Sequence, residues 1–123
     1  MEYLYSETTE KIIQAAYRVH KTLGFGFLEK VYENALAVEL GNTGMMVEQQ
    51  KPLAVYYEGN IVGDFVIDML VDGKIVVEIK AVKKLIDVHE IQLLNYLKGC
   101  RLEVGLLINF GTSVQTKRKY LHH

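Results

Sequence analysis

A single cysteine, Cys100, in 123 residues excludes an internal disulfide and any cysteine-ligated metal or iron–sulfur centre. That scarcity fits a reducing compartment, and a cytoplasmic location is the expectation. Proline occurs once, and apolar residues make up 50% of the chain against 24% charged, which sets it apart from disordered sequences. No apolar run approaches membrane-spanning length, so no membrane partner is expected. The opening residues, Met1 to Glu10, are acidic and polar and lack the order of a secretory signal. Net charge is only −1, which excludes a protein that coats nucleic acid through its overall field but leaves room for a local basic patch. The candidates are Lys80, Lys83 and Lys84, then Lys98 with Arg101, then Lys117-Arg118-Lys119; each alone reads first as a solvated charge cluster.

What remains is a globular composition long enough for a real core, read as one domain over 1–123. Ile12, Ile13, Ala16, Tyr17, Val19 and Leu23 recur at helical spacing and predict a helix over 6–23, capped by Ser6 and ended by Gly24. A second helix is expected at about 27–41, with Leu28, Val31, Tyr32, Ala35, Leu36 and Leu40 inward. Residues 45–57 read as β-like, with Pro52 marking an edge or a bulge. Strands over 61–71 and 74–82 follow, joined at Asp72-Gly73. A third helix starts at Asp87 with Glu90 completing a capping box and Gly99 stopping it; a strand over 103–110 and a basic tail close the chain. The order α-α-β-β-β-α-β implies an α/β domain: an antiparallel meander, a crossover helix, and a last strand lying parallel.

The chemistry concentrates in two adjacent apolar strands. Asp68 interrupts the run 65–71, and Glu78 and Lys80 interrupt the run 74–81. A two-residue type I′ loop at Asp72-Gly73 would pair Asp68 with Val77 and turn it away from Glu78. The apolar pattern argues otherwise. Phe65, Ile67, Met69 and Val71 are odd-numbered, as are Ile75, Val77, Ile79 and Ala81, so burying both sets on one face needs an odd-length or bulged loop with Gly73 left-handed. Asp68, Glu78 and Lys80 then share the other face. Two carboxylates so close repel unless a cation lies between them. Mg²⁺, with Mn²⁺ as substitute, suits such oxygen donors and keeps waters, one of which can attack a phosphodiester. Lys80 would orient or deprotonate that water, or stabilise charge at phosphorus. The plainer alternative is a solvent-facing strand with a cross-strand acid–lysine pair.

Asp68, nine intervening residues and Glu78-Ile79-Lys80 resemble the signature of the PD-(D/E)XK nuclease superfamily, with Ile67 where the proline of that name would stand. Gly26-Phe27-Leu28-Glu29-Lys30-Val31-Tyr32 resembles the motif of the GxxExxY proteins within that superfamily, and the likeness continues through residues 77–81, 92–97 and 105–111. The resemblance implies a mixed, mainly antiparallel central sheet flanked by helices. It implies metal held by Asp68, Glu78 and the Ile79 carbonyl, with Glu29 completing the acidic cluster, and Lys80, Asp68 and Glu78 as the catalytic set. Gln92 and Tyr96 resemble the Q-x-x-x-Y element of RecB-like nucleases, lining the site near the nucleic-acid backbone. Tyr32 is a further site-lining candidate, though a core tyrosine with a satisfied hydroxyl is the blander reading. Glu29 borders the apolar face of its helix by its own spacing, where a hydrogen-bonded structural role competes with a metal-binding one.

The leading expectation is a Mg²⁺-dependent nuclease acting on nucleic acid, DNA foremost. A nuclease-fold module that binds nucleic acid or a protein partner without cutting is the alternative, and a homo-oligomer is left open. A structural subunit whose acids are surface pairs is the third reading.

Overall fold

The stripe Thr9, Ile12, Ala15, Ala16 and Val19 is buried along one side of helix α1 (Ser6–Leu23), as its periodicity requires, while Tyr17 faces outward. A computed structural model describes residues 4–122; residues 1–3, part of the polar N-terminus, and residue 123, the end of the one-domain reading over 1–123, lie outside it. Ser6 is the first helical residue and not the cap: Tyr5 takes that place, and no side chain caps the end. Gly24 ends α1 at φ 71°. Helix α2 (Glu29–Asn42) buries Tyr32, Glu33, Leu36 and Leu40, whereas Leu28 caps it and is exposed. Strands β1 (Val47–Tyr57), β2 (Asn60–Val71) and β3 (Ile75–Lys80) form the expected antiparallel meander. Pro52 lies on β1, an edge strand, where a residue without an N–H is tolerated.

Helix α3 (Asp87–Cys100) crosses over to β4 (Val104–Phe110), which lies parallel to β3, the right setting for a strand buried at all seven positions. The α3 start differs in detail from the expected box. Asp87 is already helical, and His89, not Glu90, reaches back, its Nδ1 accepting from the Ile86 N–H at 3.2 Å. Gly99 does not stop the helix, which ends at Cys100 with Arg101 left-handed; a Cβ at Gly99 would meet the Phe65 ring at 2.9 Å. The basic tail is a fifth strand, β5 (Val114–Tyr120), antiparallel to β4. Its charged residues match an exposed edge, with Arg118 paired to Glu10 at 2.6 Å and Lys119 to Glu90. Sheet order is β1-β2-β3-β4-β5. Helices α1 and α2 cover one face over Met69, Val71, Ile75, Val77, Ile79, Leu106 and Ile108. Helix α3 covers the other over Ile67, Leu70, Val76 and Leu107. Among the described residues no helix is long and apolar enough to cross a membrane.

Candidate active site

The site begins at the turn between β2 and β3. Asp72 and Gly73 both have positive φ (53° and 67°), as a type I′ turn needs, and the Lys74 N–H donates to the Val71 carbonyl at 3.1 Å. Yet the strands pair as Val71↔Ile75, leaving Lys74 as an extra residue. The turn that Asp-Gly favours and the bulge that the core demands therefore coexist, and the three-residue connection brings Asp68 level with Glu78.

Beyond Met69↔Val77 the β2–β3 ladder stops, and the two carboxylates fill the gap. The Ile79 N–H donates to Asp68 Oδ2 at 2.8 Å, and the Asp68 N–H donates to Glu78 Oε1 at 3.1 Å. Each acid thus satisfies a backbone donor of the opposite strand. Glu78 is 5% exposed. Burial, and next the charge of Asp68, push its carboxyl up from 4.5 to about 8. Lys80 counters only part of this.

One part of the strand pattern departs from expectation. Phe65 and Ile67 do not share a face with Met69 and Val71: they pack under α3, while Met69 and Val71 lie under α1 and α2. The β1–β2 ribbon turns over at Asp68 and at Gln50, which faces it with φ 51° and interrupts the pairing between Gln49↔Met69 and Lys51↔Ile67. Left-handed backbone at Gln50 also lets two successive side chains point the same way. Gln49 Nε2 and Gln50 Nε2 both donate to Glu33, at 2.7 and 2.8 Å, and Lys30 Nζ adds a third bond at 3.2 Å. Glu33 is a buried carboxylate one turn after Glu29 that sequence reading passed over; a charged residue on the buried face beside Tyr32 and Leu36 was the available signal.

From the α2 side, Glu29 stands at the rim. It is exposed, but partial desolvation first and the charge of Asp68 second raise its carboxyl, with Lys80 lowering it. Among the described residues no three His, Cys, Asp or Glu side chains converge closely enough to hold a metal ion, so Glu29 does not close a three-acid cluster with Asp68 and Glu78. From the α3 side, Lys80 Nζ donates to Gln92 Oε1 at 3.5 Å, and Gln92 Nε2 donates to the Tyr96 hydroxyl at 2.8 Å. Burial and then the charge of Glu78 raise the Tyr96 hydroxyl pKa.

Tyr32 is not part of this group. It is fully buried and stacked on Phe110 at 4.6 Å; its hydroxyl donates to the Gly24 carbonyl at 2.6 Å and accepts the Phe27 N–H at 3.3 Å. A hydroxyl so engaged shapes the 24–27 loop instead of lining an open site. Asn109 lies in the run 105–111, but nothing in its spacing assigns it a role. Buried on β4, it accepts the Val82 N–H at 2.8 Å and donates to the Val82 carbonyl at 2.9 Å, pinning the chain two residues past Lys80.

Solved structures share this arrangement of elements. The fold is similar to that of SSO0001, at 19% identity and TM-score 0.61 over 94% of this chain and 60% of that one. It is also similar to the alkaline exonuclease LHK-Exo from Laribacter hongkongensis, at 14% identity and TM-score 0.58 over 99% of this chain and 73% of that one. At such identities the likeness speaks for the fold, and the chain spans about 60% of the length of SSO0001. Among curated proteins none matches the sequence. The family model of the PD-(D/E)XK nuclease superfamily matches residues 6–120, from the start of α1 to the end of β5, and the chain belongs to that superfamily.

Proposed function

We propose that this protein is a nuclease of the GxxExxY branch that hydrolyses phosphodiester bonds in DNA with Mg²⁺ as its metal. The observation that carries the reading is the Asp68–Glu78 pair, two acids set side by side in a gap between strands with Lys80 next to them. Nucleases of this superfamily generally use divalent metal ions, and the donors here fit one. Mg²⁺ takes one or two carboxylates and fills its other positions with water and substrate phosphate, so two acids suffice. Asp68, Glu78 and the Ile79 carbonyl would hold it, and Glu29 at the rim would meet its waters. When bound, such an ion supplies Lewis acidity and a water acidic enough to attack at neutral pH.

The chain's own groups account for the rest. Lys80 is held by an amide and not by a carboxylate, so its charge stays available to the attacking water and to the oxygens of the scissile phosphate. Gln92 fixes the direction of Lys80 and of the Tyr96 hydroxyl together. The non-cutting alternative draws its support from the absence of a third converging acid among the described residues. Single- and double-stranded DNA and RNA, incubated with and without Mg²⁺, decide between them. Metal-dependent cleavage that vanishes in Asp68→Asn supports the enzyme, and intact substrate in every arm rejects it.

A further inference from the structure

Beside the acids, the β1–β2 ribbon and the C-terminal half of α3 enclose a cleft of about 540 Å³, a size that takes ligands. Phe65 forms its floor, stacked on Tyr96 with centroids 4.5 Å apart and planes 7° from parallel. Gly99 allows this packing, since a side chain there would strike the Phe65 ring. Tyr56 stands on the ribbon wall, 63% exposed. Lys98 and Arg101, both exposed, face it from the helix wall. Among the described residues, no ion pair or hydrogen bond holds either cation.

We infer that this cleft holds an unpaired stretch of the substrate strand next to the bond to be cut, with bases against Tyr56 and the Phe65–Tyr96 floor and phosphates on Lys98 and Arg101. The inference rests on the nucleic-acid reading above and names the form of substrate. Aromatic faces beside unpaired cations fit a single strand, whose bases are free to stack on protein; in a duplex those faces are already covered by neighbouring bases. Continuity with the acids comes through Tyr96, joined by Gln92 to Lys80. Arg101 also offers the cleanest probe of the cleft. It occupies the left-handed position after α3 (φ 57°, ψ 35°), where glycine sits without strain. A cation near a helix C-terminus also offsets the dipole, but Lys98 in the last turn already does so. An arginine there bears a strain that glycine would not, and its guanidinium is left unpaired on the cleft wall among the described residues.

Fluorescence anisotropy in EDTA tests this with labelled deoxy- and ribo-oligonucleotides and a blunt hairpin duplex. A single strand should bind about tenfold or more tightly than the duplex, and the tighter of its two sugar arms identifies the substrate. Tyr56→Ala should weaken single-strand binding about five- to a hundredfold, the scale of one lost base stack. Arg101→Gly should weaken it and lower the salt slope by about 0.7, one phosphate contact, while melting no lower than wild type. That stability separates lost binding from misfolding. Equal affinity for duplex and single strand, or unchanged binding in both variants, overturns the inference. If the protein cuts DNA while both variants keep their KM for single strands, the cleft reading fails and the nuclease stands. If nothing is cut but single strands bind and both variants release them, the cleft stands and the nuclease fails.

Discussion

At the scale of single residues, Asp68 and Glu78 have two tasks that pull apart. They close backbone hydrogen bonds left open where β2 leaves β3, and they set two carboxyl groups side by side, that of Glu78 buried. Asparagine at 68 and glutamine at 78 keep an acceptor oxygen and remove the ionisable group, which makes them cleaner probes than alanine. Unfolded glutamate loses its proton near 4.5, whereas folded Glu78 keeps its own to about 8. Between those values the native state binds more protons, so metal-free stability is fullest below pH 4.5 and falls as pH rises toward 8. Melting temperature in EDTA should drop across that window, and Glu78→Gln should flatten the curve; equal slopes in both proteins would contradict the assignment. Lys80 sets a kinetic expectation. Lys80→Ala should keep the fold and bind Mg²⁺ at least as well, while cleavage falls roughly 10²- to 10⁴-fold. Single-turnover rates beside calorimetric Mg²⁺ titration check both halves, and undiminished cleavage at saturation would remove Lys80 from the mechanism.

At the scale of elements, the β1–β2 ribbon matters because it turns over where the site is. Gln50 adopts its left-handed conformation opposite Asp68, and Glu33 on α2 holds both Gln49 and Gln50. That carboxylate couples the helix carrying Glu29 to the strand pair carrying Asp68. Glu33→Ala would leave the Gln50 amide without its acceptor and the Gln49 amide with Asn34 alone, at a partly buried place and a cost of about 1–3 kcal/mol. Denaturant melts should show the loss, and Mg²⁺ affinity should fall with it, since Asp68 would lose its backing. A variant with lower stability but wild-type metal affinity would confine Glu33 to a structural role. Asn109 acts similarly on the far side, where side-chain bonds to Val82 extend the β3–β4 pairing past Lys80.

At the scale of the whole molecule, the acids sit in a gap between strands that the two helical layers cover from opposite sides, so metal affinity and global stability are linked. A ligand that binds only the native state stabilises it by about 2.7 kcal/mol at one hundred times its Kd. Mg²⁺ at that excess should raise the melting temperature by several degrees at pH 8, where Glu78 is giving up its proton and is more open to a cation than at lower pH, and Asp68→Asn should abolish the rise. Scanning fluorimetry with Mg²⁺, K⁺ and EDTA provides the comparison. An equal rise with K⁺ at matched ionic strength would point to general screening and not to a site.

The sequence by itself determined the helices, the hairpin and the acid pair, because each follows from local spacing. Apolar periodicity placed α1 and α2, and the odd-numbered apolar runs demanded a bulged turn that set Asp68 against Glu78. Only tertiary structure decided the rest. β5 was unreadable because an edge strand of charged residues carries little apolar alternation; Glu10 and Glu90, distant in sequence, hold its cations. Gly99 looked like a helix stop, and only the Phe65 ring against it reveals a close-packing glycine. Phe65 and Ile67 changed faces because Gln50 reverses the ribbon, a conformation a glutamine does not announce. Tyr32 and Glu29 share one helix and one motif. What separates core from rim is the loop that engages the tyrosine hydroxyl and the strands that charge the glutamate's surroundings, contacts that exist only once the chain has closed on itself.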